Sequence, residues 1–265
     1  MIIDDYLEYL SDVRRLSPAT VRLRSTYMSQ LAVDYFDLLS ITTTQLRVWI
    51  AARPEWAPQT VNAATSTFRS FYRWAHEVGL LAVDPAAALR TVAVPSRKPR
   101  IATSEQIDAG LAARLEVRAM TLLGVECGLR VHEIAKLAKA DRDDGWLTII
   151  GKGGQQRTVH MSPELAGVLD ELDAKAPGSP WYFPSRSRTG HVTTETLRVW
   201  SRHILGTNPH SLRHRAGTTV YRGTGNNLRV TQVFLGHRYP ATTAIYVHVE
   251  RDDLLAASAA SRLAA

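Results

Sequence analysis

The segment PHSLRHRAGT, residues 209–218, holds the side chains with the greatest capacity for chemistry in this chain. His210, Arg213, His214 and Arg215 fall within a span of six residues. Cationic side chains on adjacent turns of a helix repel one another, so their crowding needs a cause. Three interpretations compete: a solvated basic face, a metal site, and a binding site for a negatively charged substrate.

The metal interpretation is the weakest, because the neighbouring residue types do not suit it. His210 and His214 are four residues apart and share one helix face, but a zincin motif needs a glutamate where Ser211 stands. In the segment HEIAK, 132–136, a lysine occupies the second ligand position. The flanking arginines repel a divalent cation, and a single cysteine excludes a cysteine-rich zinc site. We therefore predict no metal and no cofactor.

The anion interpretation gains support from residues elsewhere in the chain. Arg130 follows a glycine where one helix is predicted to end and the next to begin, and helix N-termini favour anions. An arginine there adds a planar, permanently charged group that suits phosphate oxygens. Residues 184–240 contain nine arginines and one acidic residue, Glu195. This excess of positive charge predicts a polyanionic partner, with nucleic acid first and an anionic membrane second.

Taken singly, Arg130, His237 and Tyr246 have ordinary interpretations as a surface cation, a loop histidine and a core tyrosine. Their order, with a lysine in a Gly-Lys-Gly hairpin and an HxLRH segment between them, resembles the tyrosine recombinases, the phage integrase and Xer-like family. The resemblance is specific over about residues 101–250, whereas the N-terminal residues match that family's core-site-binding domain only in length and helical character. The matching segments are Gly128-Leu129-Arg130 with Glu133, Gly151-Lys152-Gly153, His210-Ser211-Leu212-Arg213-His214, Leu235-Gly236-His237, and Tyr246.

This resemblance implies a site-specific DNA recombinase that cleaves and rejoins strands through a 3′-phosphotyrosine intermediate. Tyr246 would be the nucleophile, and Glu133 and His214 would support the site without taking part in the chemistry. The catalytic residues that the resemblance implies are Arg130, Lys152, His210, Arg213, His237 and Tyr246.

The same resemblance implies double-stranded DNA core sites as partners, a homotetramer on DNA, and an accessory directionality factor as a further partner. We predict further DNA contacts by Arg22, Arg24, Arg69 and Arg73 in the first domain, and by Arg215. A type IB topoisomerase, a non-catalytic DNA-binding protein and a metal-dependent nuclease remain alternatives. The chain has no room for the arm-binding domain of many phage integrases, which favours a simple integrase or Xer-like resolvase. Integration of a viral genome, excision and dimer resolution all stay open.

The elements that must position these residues are mainly helical, with one small antiparallel β-sheet. The segment AVPSRKPR, 93–100, has two prolines, three basic residues and no periodicity, which is typical of a linker. We predict an N-terminal helical bundle over 1–92, this linker over 93–100, and an α+β catalytic domain with a C-terminal tail over 101–265.

Caps and periodicity locate the elements more closely. Ser17-Pro18 predicts one helix start, and Thr103 with Gln106 predicts another, from which a long apolar helix is expected to run to Cys127. Further helices are predicted at 44–52, from Pro58 to Gly79 with an aromatic stripe in the core, from Asp84-Pro85, and at 193–204, 210–222, 228–235 and 241–248. A β-hairpin is predicted with strands at 146–150 and 157–161 and a turn at 151–154.

Composition indicates the compartment. No window approaches eighteen consecutive apolar residues, and the acidic N-terminus lacks the layout of a signal peptide. One cysteine fits a reducing environment. We expect a cytoplasmic protein of a bacterial or phage-host cell, associated with the nucleoid and not with a membrane.

Overall fold

The computed structural model describes residues 2–95, 99–151, 154–237 and 243. It separates into two compact units, Met1–Ser96 and Arg97–Ala265. The division falls inside the basic, proline-containing segment 93–100. The precise domain limits given above stay a prediction.

The N-terminal unit is helical, and the caps read from the sequence begin its helices. The hydroxyl oxygen of Ser17 accepts a hydrogen bond from the backbone N–H of Thr20 at 3.3 Å, and Pro18 occupies the first helical position. The expected helix from Asp84-Pro85 is wrong, because residues 85–88 form a turn in which the Asp84 carboxylate accepts from the N–H of Ala86. The helices are α1 (Ile2–Glu8), continued by a π-helical turn (Tyr9–Val13), α2 (Pro18–Asp34), α3 (Thr43–Ala51) and α4 (Pro58–Glu77).

The core of this unit is aromatic. Phe68 and Phe71 of α4 are fully buried, which confirms that the stripe on this helix is core. The rings of Tyr6 and Phe71 meet edge to face with centroids 5.3 Å apart, and those of Trp49 and Phe68 do the same at 5.3 Å. Edge-to-face aromatic pairs of this kind stabilise the core beyond the effect of the surface that they bury.

The second unit combines helices with a three-stranded antiparallel sheet. Leu122 and Leu123 of its central helix and Leu212 of a later helix are buried in the same core. The predicted helices after residue 190 are confirmed up to residue 235, while the helix predicted at 241–248 lies outside the described residues except for Thr243. The elements are α5 (Ser104–Leu111), α6 (Leu115–Val125), α7 (Val131–Ala135), β1 (Arg142–Asp143), β2 (Trp146–Ile150), β3 (Gln156–His160), α8 (Pro163–Lys175), α9 (Thr194–Trp200) with a π-helical turn (Ser201–Leu205), α10 (Pro209–Gly223) and α11 (Leu228–Leu235).

One expected long helix is in fact two. The capping box at Thr103 forms, but the helix it starts ends at Leu111, and α6 begins anew at Leu115. The two helices pack so closely that a Cβ added to Gly110 would lie 2.3 Å from the Thr121 hydroxyl oxygen. Packing α5 against α6 buries surface that one straight helix would leave exposed, and apolar content alone does not reveal the break.

The hairpin is confirmed, with its second strand one residue earlier than expected. Trp146 pairs with His160 and Ile150 pairs with Gln156. Side chains alternate across the sheet, so Leu147 and Ile149 of β2 are buried while their neighbours are less so. The buried positions of β3 are Val159 and, unexpectedly for an inward position, Arg157.

Candidate active site

Arg130 lies directly before α7, and Glu133 in the first turn of that helix holds both its backbone and its side chain. Gly128 turns the chain after α6 with φ of +59°, and Arg130 then occupies the N-cap position. Glu133, three residues on, accepts from the Arg130 backbone N–H at 2.8 Å through Oε2 and from Arg130 Nη1 at 2.9 Å through Oε1. The guanidinium stays partly exposed, so it can meet a ligand from the solvent side.

Glu133 is shared between two arginines. Its side chain is fully buried, and Arg157 donates to both of its oxygens, from Nη1 to Oε1 at 3.1 Å and from Nη2 to Oε2 at 2.8 Å. Burial alone would raise the pKa of Glu133, but hydrogen bonds and charge from Arg157, and then from Arg130, outweigh it and lower the pKa to about 2. The carboxylate is therefore ionised throughout the neutral range.

Arg213 is the largest fully buried side chain in the described part of the molecule, with 1% of its surface exposed. It extends from α10 to the end of α11, where Nη2 donates to the carbonyl of Leu235 at 2.6 Å, and Nη1 donates to the carbonyl of Gly128. Arg130 Nη2 donates to the next carbonyl along, that of Gly236, at 3.3 Å. Backbone carbonyls orient a guanidinium without cancelling its charge.

His210 and His214 stand on successive turns of α10. Asn208 caps this helix, accepting from the backbone N–H of His210 at 2.9 Å. The two imidazole rings lie edge to face with centroids 4.3 Å apart, and His214 is buried beneath His210. His210 opens to solvent, but partial desolvation, followed by the charges of Arg213 and Arg130, lowers its pKa. Desolvation, His210 and Arg213 lower the pKa of His214 to about 4.

His237 follows the glycine that ends α11. Gly236 has φ of +61°, a conformation that glycine adopts without strain, and it stops the helix one residue before the histidine. The Nδ1 atom of His237 lies 2.9 Å from the hydroxyl oxygen of the buried Thr243. Desolvation, then Arg213 and Arg130, lower the pKa of His237 to about 3, so this imidazole is neutral at pH 7.

The structure thus brings together four of the six expected catalytic residues, with Glu133 and His214 beside them. Lys152 and Tyr246 lie outside the described residues. The strand end that leads to Lys152 is near the group, because a Cβ added to Gly151 would lie 3.6 Å from Glu133 Oε1 and 4.0 Å from Arg130 Nη1. Arg157 was missed by the sequence analysis. Strand alternation could have found it, since it shares the inward face of β3 with Val159.

A basic cavity of about 500 Å³ adjoins the group. None of its lining residues is acidic, and the nearby Glu195 makes only long ion pairs with two of its arginines, at 3.4 Å to Arg198 and 3.8 Å to Arg202. Within the described ranges, no three His, Cys, Asp or Glu side chains are arranged to hold a metal ion. The charged and imidazole side chains that line the cavity are Arg100, Arg130, His132, Arg198, Arg202 and His210.

The arginines predicted to contact DNA elsewhere differ in their surroundings. In the N-terminal unit, Arg24, Arg69 and Arg73 line one cavity of about 350 Å³, whereas Arg22 is exposed on α2 outside that lining. Arg24 Nη1 donates to the Tyr6 hydroxyl at 3.0 Å, so it also joins α2 to α1. Arg215 is partly exposed on α10. DNA contact by these residues stays a prediction.

Comparison with protein-family models decides the family. Residues 102–252 match the model of the phage integrase family, and residues 3–79 match the SAM-like N-terminal domain of phage integrases. The chain belongs to the phage integrase family.

Curated relatives of this family member are tyrosine recombinases. Tyrosine recombinase XerD of Proteus mirabilis is 32% identical over 284 residues, which cover 96% of this chain and 90% of the relative. Tyrosine recombinase XerC of Xanthomonas campestris pv. campestris is 29% identical over 273 residues, covering 94% and 84%. This phage integrase family member is a site-specific tyrosine recombinase.

Solved structures agree on the fold. A lambda integrase fragment, residues 75–356 in its own numbering, solved as a dimer bound to a COC′ core site, superposes with a TM-score of 0.76 at 20% identity. That comparison covers 95% of this chain and 94% of the other. A lambda integrase tetramer bound to a Holliday junction gives a TM-score of 0.76 at 18% identity, covering 93% of this chain and 76% of the other. The mainly helical fold with its small antiparallel sheet is therefore that of these integrases.

No helix in the described part of the chain is both long and apolar enough to cross a membrane.

Proposed function

We propose that this recombinase cleaves and rejoins double-stranded DNA at short core sites through a covalent 3′-phosphotyrosine at Tyr246. The observation that carries the proposal is the meeting of the Arg130 and Arg213 guanidiniums at the carbonyls of Gly236 and Leu235, the two residues that precede His237. In that group the described ion pairs of Glu133 engage Arg130 and Arg157, while the hydrogen bonds described for Arg213 go to neutral carbonyls. Two guanidinium groups held at one helix end suit a phosphodiester whose negative charge grows during the reaction.

In the proposed cleavage step, the phenol oxygen of Tyr246 bonds to phosphorus, and the bond from phosphorus to the 5′ oxygen breaks. The phenol proton passes to His210, whose lowered pKa keeps its ring neutral and able to accept it. Lys152 gives a proton to the departing 5′ oxygen, so a free 5′-hydroxyl remains. Arg130 and Arg213 stabilise the non-bridging oxygens, and neutral His237 donates a hydrogen bond to one of them.

Rejoining reverses these transfers with a 5′-hydroxyl from another strand. The phosphotyrosine ester conserves the energy of the broken bond, so resealing needs no nucleotide cofactor. Exchange between two duplexes needs four active sites, and we propose a homotetramer on DNA. One of the lambda integrase structures above is a tetramer bound to a Holliday junction, which supports this proposal.

The basic cavity beside Arg130 and His210 would receive the strand next to the cleaved phosphate. The N-terminal unit would bind the core site through its arginine-lined cavity, and an accessory directionality factor would choose between the forward and reverse reactions. We propose that the reaction takes place on DNA in the cytoplasm of a bacterial or phage-host cell, with viral genome integration as one outcome. The alanine-rich segment LLAASAASRLAA, 254–265, would dock on a neighbouring protomer.

The test is covalent trapping on a nicked suicide substrate, from which the short fragment that carries the new 5′-hydroxyl diffuses away. The parent protein should remain attached to DNA on a denaturing gel, and sequencing that DNA gives the site. Tyr246→Phe removes only the hydroxyl, so it should bind the same site with unchanged affinity and form no adduct. An adduct formed by Tyr246→Phe would overturn the assignment of the nucleophile, and absence of any adduct with the parent protein would overturn the proposed function.

A further inference from the structure

We infer that Arg157 is a positioning residue for the cleavage reaction, acting through Glu133 to fix the guanidinium of Arg130. The inference rests on the proposed function, because it names a residue that would serve the same phosphate-binding site. Nothing in the motifs that resemble the recombinase family includes Arg157. Its case rests on its contacts in the folded chain.

The first observation is where Arg157 lies. A strand whose inward positions face a hydrophobic core normally fills them with apolar residues, yet β3 fills one with arginine, at 9% exposure. Burying a guanidinium is costly unless a carboxylate and hydrogen bonds compensate. Glu133 supplies both, with its own side chain wholly shielded from solvent.

The second observation is how Glu133 divides its oxygens. Oε1 accepts from Arg157 Nη1 at 3.1 Å and from Arg130 Nη1 at 2.9 Å. Oε2 accepts from Arg157 Nη2 at 2.8 Å and from the Arg130 backbone N–H at 2.8 Å. Each oxygen therefore bonds to both arginines. The two parallel bonds from Arg157 set the plane of the carboxylate, and that plane sets the direction of Arg130.

The third observation is a second contact of Arg157 with the same site. A Cβ added to Gly236 would lie 2.9 Å from Arg157 Cδ and 3.3 Å from its Nη1, so the arginine packs directly against this turn. Gly236 is also the residue whose carbonyl accepts from Arg130. Arg157 thus contacts both partners that orient Arg130, the Glu133 carboxylate and the Gly236 turn, while the guanidinium of Arg130 itself stays partly exposed to solvent.

The proposal predicts a defect that depends on the charge of the phosphate. Arg157→Met should slow cleavage of ordinary DNA by about 10²-fold, the scale expected when a reacting group is misplaced by about 1 Å. A methylphosphonate at the cleaved position carries no negative charge, so a badly aimed Arg130 costs little there. The defect of Arg157→Met should therefore shrink at least tenfold on that substrate, as should the defect of Arg130→Ala.

Two further variants separate positioning from charge and from folding. Arg157→Met with Glu133→Gln removes one charge of each sign, so it should recover the melting temperature lost by Arg157→Met without recovering the cleavage rate. Arg157→Lys keeps the charge but cannot make two parallel bonds, and its rate should lie between those of the parent and Arg157→Met. The matched control is Arg142→Met, on the same sheet, which removes an arginine paired with Asp170 at 2.6 Å and should leave cleavage unchanged.

The measurements are single-turnover cleavage rates on three substrates, DNA affinity, and thermal melting. The inference stands if Arg157→Met binds DNA normally, is slow on the phosphodiester, and is relieved by methylphosphonate only. It is overturned if the defect is equal on all substrates, if no defect exists, if the double variant regains full activity, or if sulfur in place of the bridging 5′ oxygen restores the rate. That last result would assign Arg157 to the leaving group instead. Failure of the parent protein to form an adduct would count against the proposed function. That outcome is distinguishable from failure of the inference, which is judged on the variants.

Discussion

Arg130 and Arg213 donate hydrogen bonds to consecutive backbone carbonyls, those of Gly236 at 3.3 Å and Leu235 at 2.6 Å. The two side chains come from different helices and reach the same helix end. Carbonyls at a helix C-terminus carry partial negative charge, so they attract guanidinium groups. The spacing of adjacent peptide groups thereby fixes the spacing of the two guanidiniums.

The role proposed for Lys152, protonation of the departing 5′ oxygen, can be tested by changing that leaving group. Lys152→Ala should slow cleavage of normal DNA by about 10²–10⁴-fold, because an alkoxide is a poor leaving group and general acid catalysis typically contributes that much. Replacing the bridging 5′ oxygen by sulfur gives a thiolate, which needs no proton, so the variant should then cleave about as fast as the parent. Single-turnover rates on both substrates make the comparison.

Arg130→Ala is the contrasting variant in that experiment. The charge of Arg130 acts on the non-bridging oxygens, so sulfur at the bridging position should not restore the activity of Arg130→Ala. Equal rescue of both variants, or failure to rescue Lys152→Ala, would mean that the roles of these two residues are wrongly assigned.

The basic cavity should contribute affinity and not chemistry. Replacing both Arg198 and Arg202 by glutamine removes two exposed cations from its lining, and the slope of log affinity against log salt should fall by about 2. The rate of adduct formation at saturating DNA should stay within about twofold of the parent. The control is the pair Arg118→Gln and Arg142→Gln, two arginines that ion-pair with carboxylates outside the cavity lining. An unchanged slope in the first pair would contradict DNA binding in this cavity.

Stability should fall as the solution becomes acidic below pH 6.5. In the folded chain the pKa of His214 is about 4 and that of His237 about 3, mainly through desolvation, whereas an unfolded histidine titrates near 6.5. Between these values the unfolded state binds more protons. Each histidine therefore lowers the free energy of unfolding by up to about 1.4 kcal/mol per pH unit as pH falls.

Urea unfolding at pH 7.5, 6.5, 5.5 and 4.5 measures this dependence. His214→Gln should reduce the pH dependence of the free energy of unfolding by the contribution of that one histidine. A free energy of unfolding that stays constant between pH 6.5 and 4.5 would show that the two imidazoles titrate normally in the folded protein.

Cleavage should persist in excess EDTA. Among the residues that the structure describes, the buried carboxylate of Glu133 beside Arg130 already bonds to two arginines, and the guanidiniums around it repel a divalent cation. Adduct formation with and without chelator is the measurement. Loss of activity that a single divalent ion restores would contradict the arginine-based mechanism.

What the sequence predicted well was local. The cap at Ser17, the hairpin at Trp146 to Ile150 and the histidine pair of α10 all depend on residues within a few positions of one another. The break between α5 and α6 was missed, because it depends on how closely Gly110 approaches Thr121 after the helices fold together.

The site was predictable as a set of residue types and unpredictable as a set of contacts. Order along the chain selected Arg130 and Arg213, but nothing local indicates that their acceptors are the carbonyls of Leu235 and Gly236. Arg157 could have been noticed as a charge on an inward strand position. Its partner, Glu133, comes from another element, and only tertiary packing brings the two together.

The turn from Leu235 to His237 has a consequence for how the protein can lose activity. One short stretch of backbone supplies an acceptor to each of two arginines, a packing surface to a third, and a histidine of its own. If this turn opens, all of these arrangements are lost in the same event, so the site has an assembled and a disassembled state with little between them. Hydrogen exchange at these three amides would then report the fraction of molecules that are competent, and ligands that slow this exchange would count as activators whatever surface they bind.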